Sequence, residues 1–174
     1  MLDSLLSLDA SVLQWFNALP HPTSLTFIMN AATISGVGSA IWFGLALVVV
    51  RQGDFESAFR VVLSLIVTTV VVSGVLKPSI NRDRPALMAL SEHAVVIQSN
   101  SPSFPSGHAA GAAAGAYSLA RVWFTRAPVI RSLAIVIAVS RVYLGAHYPL
   151  DVLIGFFVGL SCGIVVTGGS RQCR

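Results

Sequence analysis

Charge is what this 174-residue chain has least of. Asp, Glu, Lys and Arg make up 10% of it, against about 25% in soluble domains. With 55% apolar residues and a mean hydropathy of +0.78, the deficit excludes an ordinary soluble globule and points to an integral membrane protein. Cysteine is nearly absent too. Cys162 falls in an apolar run and Cys173 in the C-terminal tail, which excludes a disulfide framework, a cysteine metal site and thiol chemistry. No Pro/Ser/Gly spacer or charge run divides the chain, so residues 1–174 read as one domain. Met1-Leu2-Asp3-Ser4 lacks the basic start of a secretory signal, and no small-residue cleavage site follows, so no removal is expected. The net charge of +4 is scattered at the ends of apolar runs, not gathered in a patch, which argues against nucleic acid as a partner.

Apolar residues are present in abundance and ordered. Residues 4–18 carry Leu5, Leu8, Val12, Trp15, Phe16 and Leu19 at near-helical spacing, with Asp3, Asp9, Gln14 and Asn17 between them. This pattern fits an amphipathic helix lying in the membrane interface, ended by Pro20 and Pro22. Five apolar stretches follow, at 24–50, 55–76, 106–124, 129–146 and 150–168. Each is near or above the length of about 17 to 25 residues that crosses a bilayer. The expected fold is therefore an all-α membrane bundle of about five spans plus the interfacial helix. The first span should bend at Gly36-Val37-Gly38. Gly107, Gly111 and Gly115 in one span, and Gly155, Gly159 and Gly163 in another, predict two smooth faces that pack those helices tightly in the bundle, with their N-terminal polar residues carried toward one site.

Arginines set an orientation. Arg51, Arg60, Arg121, Arg126, Arg131, Arg171 and Arg174 cluster at one set of span ends and mark the cytoplasmic side by the positive-inside rule. Lys77, Arg82, Arg84 and Arg141 fall at the opposite ends with His108, His147 and Asp151. The polar residues then open on the extracytoplasmic face of an inner membrane. The extracytoplasmic connection, 77–105, is the longest. Leu87, Met88, Leu90, Val95, Val96 and Ile97 make its 86–104 portion amphipathic, suited to capping a site or dipping into headgroups. Glu92 and His93 there read ambiguously.

Three strings carry chemistry. In Pro105-Ser106-Gly107-His108, proline and a capping serine start a helix whose unpaired amides suit an anion, with a phosphate on the Ser106 and Gly107 N–H groups. In Ser140-Arg141-x5-His147-x3-Asp151, a turn brings together arginine, histidine and carboxylate. A carboxylate on one ring nitrogen fixes the tautomer and raises the basicity of the other, which makes His147 a nucleophile and Asp151 its orienting partner. The plainer alternative is a solvated turn with an Arg141–Asp151 ion pair. In Lys77-x6-Arg84-Pro85, lysine supplies a point charge and arginine a planar fork for phosphate oxygens. Arg82 and Asp83 lie within that string without an assigned role.

In order and spacing the three strings resemble the signature of the type 2 phosphatidic acid phosphatase (PAP2) superfamily, which includes vanadium haloperoxidases. The resemblance implies that His147 attacks phosphorus to form a phosphohistidine, that Asp151 orients it, and that His108 protonates the leaving oxygen. Lys77, Arg84, Ser106, Gly107 and Arg141 would hold the phosphoryl oxygens, with no metal or other cofactor. It further implies a lipid phosphate or diphosphate phosphatase, with undecaprenyl diphosphate the first candidate and phosphatidic acid, phosphatidylglycerol phosphate and lipid A phosphate the alternatives. A haloperoxidase, testable by halide oxidation, is opposed by the apolar spans. A non-enzymatic binder or transporter of anionic lipids is the alternative from another class. Oligomeric state is not legible in the residues.

Overall fold

In the computed structural model, which describes residues 2–85 and 101–168, every regular element is helical. The order is α1 (Leu2–Ala18), α2 (Thr23–Ser35), α3 (Ala40–Arg51), α4 (Phe55–Thr69), a π-helical segment (Val70–Leu76), α5 (Lys77–Ile80), α6 (Gly107–Val122), α7 (Ala127–Tyr143) and α8 (Pro149–Thr167). Short 3₁₀ turns join α2 to α3 and α6 to α7. Large apolar side chains face outward, among them Phe27, Ile66, Phe157 and Val165. This is the inverse of a soluble surface and the expected exterior of a bundle dissolved in lipid.

The second apolar stretch is longer than its hydropathy alone indicates. Asp54 caps it by accepting from the Ser57 amide at 3.0 Å. The helix then runs on without a break through the π segment and α5, so that Phe55–Ile80 is 26 residues long with a mean hydropathy of 2.2 over its most apolar part. The wide π turns precede Pro78, whose missing N–H would otherwise break the ladder. They bring Lys77 round to a buried position. Among the described residues, Pro149–Thr167 is the other unbroken helix of spanning length and hydropathy, 19 residues at 2.2.

The stretch expected at 24–50 is two helices, bent by 58° where Gly36-Val37-Gly38 lies. Gly38 has φ 55° and Ser39 φ 60°, a left-handed pair that no helix can contain. Counted as one broken span, α2–α3 makes three crossings of sufficient length among the described residues. α6 and α7, within the remaining two expected spans, have 16 and 17 residues.

α6 forms the centre. Its sequence, Gly-His-Ala-Ala-Gly-Ala-Ala-Ala-Gly-Ala, buries residues on every side, because small side chains let α4, α7 and α8 approach its axis together. Both glycine faces are closely packed, as expected, and they meet different partners. Those of α8 do meet α6: a Cβ at Gly155 would come 2.5 Å from the Ser106 carbonyl, and one at Gly159 would run into the Ala110 backbone. Those of α6 point elsewhere, Gly111 at Ser39 and Gly115 under the Trp42 ring. The second smooth face thus seats the α2–α3 break, not α8. Gly159→Leu is expected to destabilise the protein in detergent by about 3 kcal/mol, since backbone cannot yield to the added side chain. Gly44→Leu, whose Cβ would meet nothing within 4 Å, should cost less than about 1 kcal/mol. Thermal unfolding of the two variants checks the contrast.

α1 keeps Leu5, Leu8, Val12 and Trp15 exposed and buries Leu13, the outline of a helix resting against the bundle. Contrary to its place in the polar stripe of the sequence pattern, Asp9 is also buried. Residues 86–100, including the apolar positions noted in that segment with Glu92 and His93, and the tail bearing Arg171, Cys173 and Arg174 lie outside the described residues.

Candidate active site

The turn between α7 and α8 is dictated by three residues. Gly145, at φ 64°, ends α7: its amide donates to the Val142 carbonyl at 2.9 Å, and the Ala146 amide donates to that of Arg141 at 3.0 Å. This pair of bonds is the Schellman closure that glycine permits. The His147 amide joins the same Arg141 carbonyl at 3.2 Å, which folds His147 back over Arg141. Pro149 then opens α8 at a position where no N–H is needed. Two residues on, Asp151 accepts the Tyr148 amide at 3.1 Å through Oδ2. The turn is therefore locally encoded, and it delivers Arg141, His147 and Asp151 to one end of the bundle.

The His147 ring is 1% exposed. Its Nδ1 lies 3.6 Å from Asp151 Oδ2, with the Ser103 hydroxyl between them, 3.3 Å from Nδ1 and 2.5 Å from Oδ2. Since Ser103 donates to the carboxylate, its oxygen is left to accept from Nδ1–H. On the other side Arg84 Nη1 lies 3.3 Å from Nε2, and guanidinium can only donate. Both contacts select the same tautomer, with the proton on Nδ1 and a lone pair on Nε2. Burial pushes the imidazole down to about 4, opposed by the Asp151 carboxylate behind it and reinforced by the charges of Arg141 and Arg84. The ring is thus neutral at pH 7, and stability falls as pH drops from 6.5 toward 4, where the unfolded chain binds the proton more readily.

Three cations lie at this end of the bundle, within electrostatic reach of one another. Lys77 Nζ donates to the Pro102 carbonyl at 2.8 Å and to Ser101 Oγ at 3.1 Å. Arg84 Nε donates to the Ser101 carbonyl at 2.9 Å, and its Nη1 to that of Ala146 at 3.1 Å. Arg141 is 3% exposed; Nη1 donates to Thr33 Oγ1 at 3.0 Å, while Nε is buried with no partner among the described residues. His108 Nε2 is likewise buried and, among the described residues, unpartnered, within electrostatic reach of Arg141, His147, Arg84 and Lys77. Orphaned buried polar atoms are costly unless a ligand satisfies them, and these two belong to the cluster an anion would enter.

At the start of α6, Ser106 caps the helix, its Oγ accepting from the Ala109 amide at 3.5 Å. The Ser106 amide, expected to hold phosphate, donates instead to the Asp151 carbonyl at 2.9 Å. It ties α6 to α8, so the helix-start amides left for an anion are those of Gly107 and His108, which have no intrahelical partner. A cleft of about 460 Å³ opens beside His108, between the α2–α3 break, the π segment and α6, lined by Gly36, Ser39, Phe43, Ile66 and Val72 among others.

All eight residues singled out in the three strings gather at this end of the bundle. Three others were missed. Arg82, without an assigned role, donates to Asp151 Oδ1 at 2.6 Å and to Asp9 Oδ2 at 2.7 Å; it, and not Arg141, is the ionic partner of Asp151. Ser103 is fully buried between His147 and Asp151. Its signal was its place two residues before Pro105 in a segment held against the site; that of Arg82 was a second arginine two residues before Arg84. Nothing in the local sequence marked Asp9.

Comparison with known proteins places this geometry. A family model described as the PAP2 superfamily matches residues 57–173. Decaprenylphosphoryl-5-phosphoribose phosphatase of Mycobacterium tuberculosis (strain CDC 1551 / Oshkosh) is 34% identical over 106 residues, 58% of this chain and 56% of the relative, so the chain spans about half the length of that protein. Phosphatidylglycerophosphatase B of Bacillus subtilis (strain 168) is 30% identical over 92% of this chain and 78% of its own. The crystal structure of a transmembrane PAP2-type phosphatidylglycerolphosphate phosphatase from Bacillus subtilis superposes with a TM-score of 0.77 at 26% identity, covering 98% of this chain and 90% of that one. A helical membrane bundle with this arrangement of histidines and cations, matched over most of its length by the family model, belongs to the PAP2 superfamily.

Proposed function

We propose that the protein is a membrane lipid phosphate or diphosphate phosphatase working through a phosphohistidine on His147. The observation that carries the reading is the setting of the His147 ring, with Ser103 and Asp151 behind Nδ1 and the Arg84 guanidinium facing Nε2. Lys77, Arg84 and Arg141, with the Gly107 amide, hold the phosphoryl oxygens and neutralise the charge that spreads over them during transfer. Nε2 attacks phosphorus, the bond to the leaving oxygen breaks, and His108 gives that oxygen its proton. The positive phosphoimidazole is stabilised through Nδ1–H, Ser103 and Asp151. Water, deprotonated by His108, then breaks the P–N bond, releases phosphate and restores His147.

In-line displacement puts the leaving group opposite His147, on the His108 side. The cleft found there is lined by Phe43, Ile66 and Val72, and Ile66 is among the outward-facing apolar residues. A lipid chain continuous with the bilayer fits that position. Undecaprenyl diphosphate remains the first candidate substrate, a polyprenyl lipid like the one in the name of the Mycobacterium tuberculosis relative. The name of the Bacillus subtilis relative supports phosphatidylglycerol phosphate as the alternative, and phosphatidic acid and lipid A phosphate stay in the comparison. The site lies at the helix ends opposite Arg51, Arg60 and Arg126, which supports an extracytoplasmic active site.

The test is phosphate release by the detergent-purified protein in excess chelator, with the four lipids compared against a His147→Ala blank. Turnover of at least one lipid undiminished by chelation is expected. Strict dependence on added divalent metal, or no release above the blank, contradicts the reading, and the latter outcome favours a binder or transporter of anionic lipid.

A further inference from the structure

We infer that Asp9 and Arg82 are positioning residues of the catalytic centre, and that the N-terminal helix α1 is thereby part of the active-site framework. This inference rests on the phosphohistidine reading. The geometry is a chain of charges in which a partly exposed arginine joins two buried carboxylates. Arg82 spans two carboxylates with its two terminal nitrogens, Nη1 to Asp151 Oδ1 at 2.6 Å and Nη2 to Asp9 Oδ2 at 2.7 Å. Its guanidinium also lies 4.0 Å from the centre of the Tyr148 ring. The second oxygen of Asp9 accepts the Leu150 amide at 2.9 Å, one residue before Asp151. Side-chain exposures of 1% for Asp9 and 0% for Asp151 leave water little part in compensating either carboxylate.

Each oxygen of Asp151 is therefore held separately. Oδ1 faces Arg82, while Oδ2 takes Ser103 and the Tyr148 amide. Rotation of the carboxylate would move the Ser103 hydroxyl and with it the acceptor for His147 Nδ1–H. Arg82 prevents that rotation, and Asp9 prevents Arg82 from swinging away, because a planar fork locked at both ends has one orientation. Partners that orient a catalytic ligand through one intermediary commonly matter by about 10- to 100-fold. A surface helix needs no buried carboxylate to rest on a bundle; α1 also has apolar contacts through Leu13.

Asp9→Asn, Arg82→Gln and Asp151→Asn, singly and with Asp9→Asn combined with Asp151→Asn, test this in the full-length protein. Asp9→Asn is expected to lower kcat about 10-fold, and Arg82→Gln by more, with KM and inhibition by inorganic phosphate changed less than about 3-fold. In the Asp151→Asn background Asp9→Asn should cost less than about 2-fold, because its effect passes through the carboxylate already lost. Equal losses in both backgrounds, or a lowered Tm with kcat intact, would reduce Asp9 to an anchor and overturn the proposal. If Arg82→Gln fails to fold, Asp9→Asn carries the test alone. A second readout is independent of turnover: the ¹⁵N shifts of the His147 ring should show the Nδ1–H tautomer in the parent protein and a mixture in Asp9→Asn. An unchanged tautomer with unchanged kcat in that variant sinks the positioning role while leaving the phosphatase reading intact. A parent protein no more active than His147→Ala sinks the phosphatase reading itself.

Discussion

Replacing His147 with alanine is expected to cut lipid phosphate hydrolysis by about 10⁴-fold or more, with the protein still folded and inorganic phosphate still bound. The size follows from what the residue supplies. Removing a nucleophile closes the covalent route altogether and leaves only the cation cluster to assist attack by water. Phosphate binding should persist because Lys77, Arg84 and Arg141 are held by groups other than the His147 side chain: Ser101 and Pro102, the Ala146 carbonyl and Thr33. The vacated space lies beside Arg84 and Ser103, so added imidazole should restore part of the rate by taking the place of the lost ring. Turnover within about 100-fold of the parent, with no response to imidazole, would assign the attack to another group.

His108→Gln is expected to fall second hardest, by about 10² to 10⁴ in kcat for lipid substrates, the usual contribution of a positioned general acid. The loss should depend on the leaving group. A lipid alkoxide needs a proton as the bond to phosphorus breaks, whereas the phenolate of p-nitrophenyl phosphate leaves without one. The first turnover with that ester, read as a burst of phenolate, should slow less than about 10-fold in the variant. Hydrolysis of the phosphoenzyme should still lag, because His108 also serves as the base for water. Equal losses for both leaving groups in the first turnover would make His108 a binding residue only.

Much of this site was legible because its parts are local. Gly145, Pro149 and Asp151 specify a turn that any chain with those residues would favour, and the Pro105-Ser106-Gly107 start of α6 is a capped helix wherever it occurs. The bend between α2 and α3 was likewise visible in Gly36-Val37-Gly38. What escaped was tertiary. Asp9 lies 73 residues from Arg82 in the chain and sits among polar residues of an amphipathic pattern, where periodicity reads it as solvated. Only the packing of α1 shows that the partly exposed Arg82 compensates it. Ser106 was read as an anion-binding amide on the same local logic, and the neighbouring helix α8 took that donor first. The α6 glycines were legible as a close-packing face but not as to its partner, since spacing alone cannot distinguish α8 from a broken helix carrying Trp42.

The central claim is a covalent bond between His147 and the phosphoryl group, and rapid quench of the protein with ³²P-labelled lipid phosphate tests it most directly. Label on the protein that survives base, is released by acid, forms no more slowly than turnover and is missing from His147→Ala is the expected result. Steady turnover with no labelled protein at any quench time, or label that persists in His147→Ala, would contradict the account.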